Sequence, residues 1–309
     1  MKIDRMTMSL WLAGVYMFTV PIAAAAQIAP TVIPVPVTAV PSAVSDADAR
    51  AGTLKIVAKK IILVGDSTTQ VGSGWGGSFC TKHVTSFIAC VNLGRGGRST
   101  FSYRAEGSWD LALAEMKTGG FAQTYVLIQF GHNDQPGKPG RSTDLTTEFP
   151  ANLVRYVDEV RATGAIPVLV TPLTRRTFKN GSLQDDLEPW AASVRQVAQT
   201  LNVPLVDLHA TSVAAVQTMG ARAAIDLAEM LPPADVLAAA DTGTTIAAPK
   251  PDPAAGAATG TEVNVLPQAH PTVVFDYTHL GPKGADLFAT EVTNELAKAV
   301  PDLRADLVP

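Results

Sequence analysis

Three short stretches of this chain carry side chains whose types and order could do acyl-transfer chemistry. The first is Gly65-Asp66-Ser67, which follows the apolar run Ile61-Ile62-Leu63-Val64. A serine hydroxyl is a weak nucleophile until a base takes its proton. A candidate base lies far downstream in Asp276-Tyr277-Thr278-His279. There a carboxylate three residues before an imidazole can hold the tautomer that leaves Nε2 free. The third stretch is Phe130-Gly131-His132-Asn133-Asp134, where the Asn133 amide can donate to a developing oxyanion. A glycine-rich block, Asn92-Leu93-Gly94-Arg95-Gly96-Gly97-Arg98-Ser99, can bring bare backbone N–H groups close to the same place. Each stretch alone also has a plain structural reading. Ser67 could cap a helix, Asn133 could close an Asx-turn, and the glycines could form a tight strand-to-helix turn.

The elements around these residues favour the chemical reading. The spacing predicts strands over Ile56–Val64, Ile88–Leu93, Tyr125–Phe130, Ile166–Val170 and Val203–Val206. Each is short, rich in branched residues and followed by polar or glycine punctuation. Three of the chemical stretches come directly after such strands. Between strands the period changes to that of a helix: Leu153, Tyr156, Val157 and Val160 make one apolar stripe behind Pro150, and Val194, Val197 and Leu201 make another behind Pro189. A last helix begins near Pro282 and carries Leu287, Phe288, Val292 and Leu296. Alternating strands and helices imply an α/β fold, a three-layer, doubly wound parallel sheet with flavodoxin-like strand order. In such a sheet, ligands bind beyond the carboxyl ends of the strands.

Composition bounds the rest. Twenty-four Lys and Arg against 28 Asp and Glu give a net charge of −4, with no basic tract, which argues against nucleic acid as partner. Residues 1–26 begin with Lys2 and Arg5 and continue as an apolar run ending in Ala24-Ala25-Ala26. This is the pattern of a cleaved secretory signal, implying a secreted or periplasmic protein with no membrane contact after cleavage; an uncleaved anchor is the alternative. Proline-rich residues 27–54 read as a linker before a domain over 55–309. Residues 211–235 are helical in pattern, and 238–262, rich in Ala, Thr, Pro and Gly, read as a low-complexity disordered insertion. The two cysteines, Cys80 and Cys90, can form a disulfide or remain buried thiols. The scattered histidines offer no metal-ligand motif, so neither metal nor other cofactor is expected.

Taken together, the four stretches resemble the SGNH subgroup of the GDSL esterases and lipases, which the chain parallels from about residue 60 to 300 outside the insertion. Within it the chain looks most like rhamnogalacturonan acetylesterases. The supporting details are Gly65-Asp66-Ser67-Thr68, Gly74-Trp75-Gly76, Gly97-Arg98-Ser99, the Asn133 block, Thr171-Pro172-Leu173-Thr174-Arg175-Arg176, and Asp276 to His279 with Gly284-Ala285. The resemblance implies a Ser67–His279–Asp276 triad, an oxyanion hole from Ser67, Gly97 and Asn133, and an acyl-enzyme that water hydrolyses. It implies a monomeric enzyme acting on acetylated polysaccharide. Arg98 and His132 are the candidate substrate contacts, and Arg175 and Arg176 are further candidates, because a guanidinium fork suits the carboxylate of an acidic sugar. The competing readings are a lipase or thioesterase for longer acyl chains and a non-catalytic carbohydrate-binding protein. No Gly-x-Ser-x-Gly elbow is present, which removes the main motif of an α/β-hydrolase.

Overall fold

The computed structural model describes residues 50–52, 56–249 and 274–309. The signal and linker expected over 1–54 therefore fall almost wholly outside the described residues, as does the part of the expected insertion beyond residue 249. The described residues from 56 onward belong to one compact unit, Lys55–Pro309.

Its centre is a five-stranded parallel sheet. The strands are β1 (Lys59–Gly65), β2 (Ile88–Asn92), β3 (Thr124–Gln129), β4 (Ile166–Val170) and β7 (Leu205–Val206), in the order β2-β1-β3-β4-β7. β1 lies between β2 and β3, with Ile62 opposite Val91 on one side and Val126 on the other. The order reverses beside β1, so the crevice at its carboxyl end is where a doubly wound sheet binds ligands. A small hairpin of β5 (Phe178–Lys179) and β6 (Ser182–Leu183) stands apart from the sheet.

Alternation along each strand divides the core into two halves. Ile61, Leu63, Tyr125, Leu127, Val168 and Val170 point to one face. There they share a core with Phe79 of helix α1 (Gly76–Lys82), Val216 of α6 (Leu208–Ile225) and Phe288 and Val292 of α8 (Pro282–Ala299). Ile62, Val64, Val126, Ile128 and Leu169 point to the other face. Their partners include Trp109 of α3 (Ser108–Met116), Leu153 and Tyr156 of α4 (Glu148–Ala162), and Val194 of α5 (Glu188–Leu201). The short α2 (Ser102–Ala105) precedes α3. Strands apolar on both faces have nowhere to go but the middle of such a sandwich. Cys80 of α1 and Cys90 of β2 are joined by a disulfide with a Cα–Cα distance of 5.4 Å.

One expectation needs correction. The segment read as disordered from residue 238 begins inside α7 (Ala234–Asp241), which buries Val236 and Ala240. The chain beyond it is pinned to β5: the Phe178 N–H donates to Thr245 Oγ1 at 2.8 Å, and the Thr245 N–H returns to the Phe178 carbonyl at 2.9 Å. Small side chains sufficed here because a neighbouring edge supplied backbone partners. Among the described residues no helix is long and apolar enough to cross a membrane.

Candidate active site

Ser67 sits two residues beyond β1, in a turn whose tightness explains its sequence. A Cβ on Gly65 would stand 2.6 Å from the Gln129 carbonyl oxygen, so only glycine lets β1 end against β3 here. The Asp66 carbonyl then accepts from the Thr69 and Gln70 N–H groups, and Asp66 Oδ1 accepts from the Thr68 N–H at 2.9 Å and Thr68 Oγ1 at 2.8 Å. The Trp75 N–H closes the loop onto the Thr68 carbonyl at 2.9 Å. Beneath it lies Gln129, the last residue of β3. Its Oε1 accepts from Thr69 Oγ1 (2.5 Å) and Trp75 Nε1 (2.8 Å), and its Nε2 donates to the Thr171 carbonyl. One fully buried amide thus ties the serine turn, at the end of β1, to the ends of β3 and β4. Sequence reasoning missed it, because a glutamine at the end of an apolar strand carries no motif.

The glycine block follows β2 and faces the same turn: the Arg95 N–H donates to the Gly65 carbonyl at 2.9 Å. Gly97 has φ +79°, a left-handed conformation that favours glycine. Asn133, beyond β3, donates one amide hydrogen to the Arg98 carbonyl at 3.1 Å. Its Oδ1 and the Gly97 carbonyl both face Arg141 Nη1, at 3.4 and 3.3 Å. An amide nitrogen has two hydrogens, so Asn133 keeps one to give. Among the described residues, the Ser67 and Gly97 N–H groups donate to no protein acceptor. Asp134 locks the two blocks together by accepting from the Thr100 N–H (3.0 Å), Thr100 Oγ1 (2.5 Å) and Thr143 Oγ1 (3.0 Å); burial pushes its carboxyl up to about 7 despite these donors.

His279 and Asp276 form a close pair, with Nδ1 to Oδ2 at 2.6 Å. Asp276 Oδ1 also accepts from the Thr278 and His279 N–H groups at 2.7 and 2.8 Å. Burial works against the carboxylate, but the His279 ring and these N–H groups outweigh it and hold Asp276 at about 2. Burial likewise lowers His279, and the Asp276 carboxylate overcomes it, leaving the imidazole above its ordinary 6.5. The pair is joined to the serine turn through the backbone, since the Leu280 N–H donates to the Ser73 carbonyl at 2.8 Å. The structure places no hydrogen bond between Ser67 Oγ and His279 among the described residues; catalytic hydrogen bonds of this kind are often long until substrate is bound.

Of the four candidate substrate contacts, Arg98, Arg176 and His132 are buried and Arg175 is paired. Arg176, read as a candidate sugar contact, is fully buried and grips the histidine loop from below. Its Nη1 donates to the Thr278 carbonyl (3.2 Å) and its Nη2 to the His279 and Asp276 carbonyls (2.8 and 3.4 Å), while its own N–H donates to the Tyr277 carbonyl (3.0 Å). Burial brings its guanidinium down to about 10. Arg98 is buried too, with Nε on Glu106 Oε2 at 2.8 Å and Nη1 on the Gly96 carbonyl at 2.6 Å, so it shapes the glycine block instead of reaching outward. Arg175 is paired with Asp186 at 2.5 Å. His132 is 2% exposed, and neither ring nitrogen has a partner among the described residues; Nδ1 stands 3.6 Å from Asp66 Oδ2. Burial pushes its pKa below the ordinary value against the pull of Asp66, and the ring packs beside the serine turn.

A flavodoxin-like parallel sheet with a Gly-Asp-Ser turn at the end of β1 and a carboxylate–imidazole pair tied to that turn fits one class, the ester hydrolases of the GDSL type. Residues 63–235 match the model of the GDSL-like lipase/acylhydrolase family. The chain belongs to that family and is a carboxylic-ester hydrolase. The matched stretch contains Ser67, Gly97 and Asn133 and ends before Asp276. Among curated proteins it is similar to a probable rhamnogalacturonan acetylesterase, YesY, of Bacillus subtilis (strain 168), with 33% identity over 165 residues, 51% of this chain and 74% of the relative. It is also similar to the rhamnogalacturonan acetylesterase RhgT of the same organism, with 37% identity over 159 residues, 49% of this chain and 65% of that one. The crystal structure of protein YxiM from Bacillus subtilis shares the fold, with a TM-score of 0.55 at 21% identity, over 79% of this chain and 57% of that one.

Proposed function

We propose that the protein is an exported serine esterase that removes acetyl groups from plant cell-wall polysaccharide, with acetylated rhamnogalacturonan as its substrate. The observation that carries this reading is the Asp276–His279 pair, held at 2.6 Å and tethered to the Ser67 turn beside the Gly97 and Asn133 donors. The two similar curated proteins, named for rhamnogalacturonan deacetylation, support the choice of substrate. Export rests on the signal pattern of residues 1–26 alone.

The chemistry follows from the roles of these groups. Nδ1 of His279 carries the hydrogen shared with Asp276, leaving the Nε2 lone pair for the Ser67 hydroxyl proton. As that proton moves, Oγ attacks the acetyl carbonyl, and the negative charge that grows on its oxygen meets the Ser67 and Gly97 N–H groups and the free Asn133 hydrogen. The tetrahedral intermediate collapses when the imidazolium returns its proton to the departing sugar hydroxyl, leaving an acetyl-serine. Water, deprotonated by the same Nε2, then attacks the acetyl carbon, and the imidazolium returns the proton to Ser67 Oγ as acetate leaves.

The test is acetate release from acetylated rhamnogalacturonan, acetylated xylan and p-nitrophenyl esters of rising acyl length, measured side by side. The proposal expects the highest kcat/KM on acetylated rhamnogalacturonan and a steep fall beyond the acetyl ester. Preference for long-chain esters would instead make this a lipase or thioesterase.

A further inference from the structure

Beyond the carboxyl ends of β4 and β7, three side chains converge where the turn before α5 meets the first residues of α6. The His209 ring is 1% exposed. Its Nδ1 lies 2.9 Å from the Pro172 carbonyl, and a carbonyl only accepts, so Nδ1 carries a hydrogen. Nε2 points at carboxylates: Asp185 Oδ1 and Oδ2 at 3.0 and 3.1 Å, and Glu188 Oε2 at 3.4 Å. Nε2 therefore faces three carboxylate oxygens at once, a donor set that a shared cation would hold together. The surroundings do not cancel the charge. Asp186 is taken up by Arg175, and Arg195 is shared between Glu188 and Asp207, so four carboxylates face two guanidinium groups.

We infer that Asp185, Glu188 and His209 bind a divalent first-row transition ion of the Zn²⁺ or Mn²⁺ kind. With metal–ligand bonds of about 2.1 Å, neighbouring donor atoms stand roughly 3.0–3.4 Å apart, which is the spacing of Nε2 to these oxygens. Each ligand is also oriented from behind, as metal ligands are. Pro172 holds His209, Arg195 Nη1 holds Glu188 Oε1 at 2.7 Å, and the Glu188 N–H holds Asp185 Oδ1 at 3.1 Å. An imidazole with two carboxylates suits a borderline ion better than Ca²⁺ or Mg²⁺, which prefer oxygen alone. The carboxylates are 29% and 47% exposed, which gives the ion a route in and leaves positions for water. The ion would fasten the leading turn of α5 to the start of α6. Pro172 in turn packs on Gly131, two residues from Asn133, so the clamp backs the oxyanion loop. No local motif marks this set, because its members are 3 and 21 residues apart and the fold brings His209 to the other two.

The experiment titrates ZnCl2 and MnCl2, with CaCl2 and MgCl2 as controls, into full-length protein stripped with EDTA, reading stoichiometry by calorimetry and Tm by thermal unfolding. One equivalent of Zn²⁺ or Mn²⁺ should bind with micromolar or tighter affinity and raise Tm by several degrees. Glu188→Gln, at a half-exposed position, should keep the metal-free Tm and bind at least tenfold more weakly; His209→Gln should lose the site. Absence of one-equivalent binding in the wild type, or binding that Glu188→Gln leaves unchanged, overturns the inference and leaves the three side chains a hydrogen-bonded structural cluster. These readouts involve no ester hydrolysis, so they stand or fall apart from the Ser67 chemistry.

Discussion

The two halves of the catalytic edge are held in different ways. The nucleophile half grows out of the sheet itself: Gly65, Ser67 and Asn133 follow β1 and β3, and Gln129 and Asp134 knit their loops together with buried hydrogen bonds. The base half, Asp276 to His279, precedes α8 and leans on the side chain of Arg176, with one backbone bond from Leu280 to the serine loop. The Asp276 and His279 side chains are 27% and 24% exposed, whereas Ser67 and Asn133 are buried. The oxyanion donors must be in place before charge develops, since preorganisation is what makes them effective. In the proposed mechanism the base instead passes a proton in both directions, and water must reach it.

That contrast is tested most severely by removing the nucleophile. Ser67→Ala should lower kcat on the order of 10⁴-fold or more with an unchanged Tm, and His279→Ala should be comparably severe. Initial rates of acetate release and a melting curve check both. Retention of more than a few per cent of turnover by Ser67→Ala would move the nucleophile elsewhere.

Next is the support of the base. Arg176→Met removes the donors to three loop carbonyls, each costing about 1–3 kcal/mol when left unpaired and buried. It should cut kcat as strongly as loss of the base and also lower Tm, whereas Arg98→Ala should leave the His279 ionisation unmoved. An Arg176→Met enzyme with wild-type kcat would show that the base half stands without its anchor.

Asp276→Asn should fall below wild type but stay above Ser67→Ala, because the loop survives and only charge and tautomer control are lost. The pH dependence has a definite sign. His279 must be neutral to act, and its pKa is raised by Asp276, so the acid limb of kcat/KM should lie above 6.5 in the wild type and shift down in Asp276→Asn. For folding, the raised His279 pKa adds stability that is complete below the unfolded value and is lost as pH rises through the folded one. The depressed Asp276 pKa adds stability present above the usual carboxylate value of 3.8 and lost as pH falls toward about 2. The smallest effect on this edge belongs to Asn133→Ala. It should reduce kcat by about 10²–10³-fold with little change in KM, as expected of a donor used mainly in the transition state. A raised KM at constant kcat would make Asn133 a substrate contact.

The same contrast explains what the sequence disclosed. β1, β3 and β4 are readable because residues such as Ile61 and Ile62 pack into opposite halves of the core, leaving no polar position in the run. The strand ends carry Ser67 and Asn133 on short turns whose glycines announce them. Helix α1 escaped notice because Gly76-Gly77-Ser78 is a poor helix opening, tolerated here through packing of Phe79 and the bond from Cys80 to Cys90. Arg176 was misread because a neighbouring arginine pair looks like surface charge; one member faces Asp186 and the other disappears beneath a loop a hundred residues away. Gln129, Arg141 and the Asp185–Glu188–His209 set depend on partners 24 to 60 residues away, such as Thr69 for Gln129, Gly97 for Arg141 and Asp185 for His209, which no local pattern encodes.

In the proposed mechanism Ser67 is the nucleophile that His279 activates. The most direct measurement is labelling of the native protein by an organophosphonate ester, followed by peptide mapping and by the pH dependence of the labelling rate. One equivalent should attach to Ser67 Oγ, at a rate that rises with pH through the raised His279 pKa and collapses in His279→Ala. A label on another residue, or on Ser67 at a rate indifferent to His279, would contradict it.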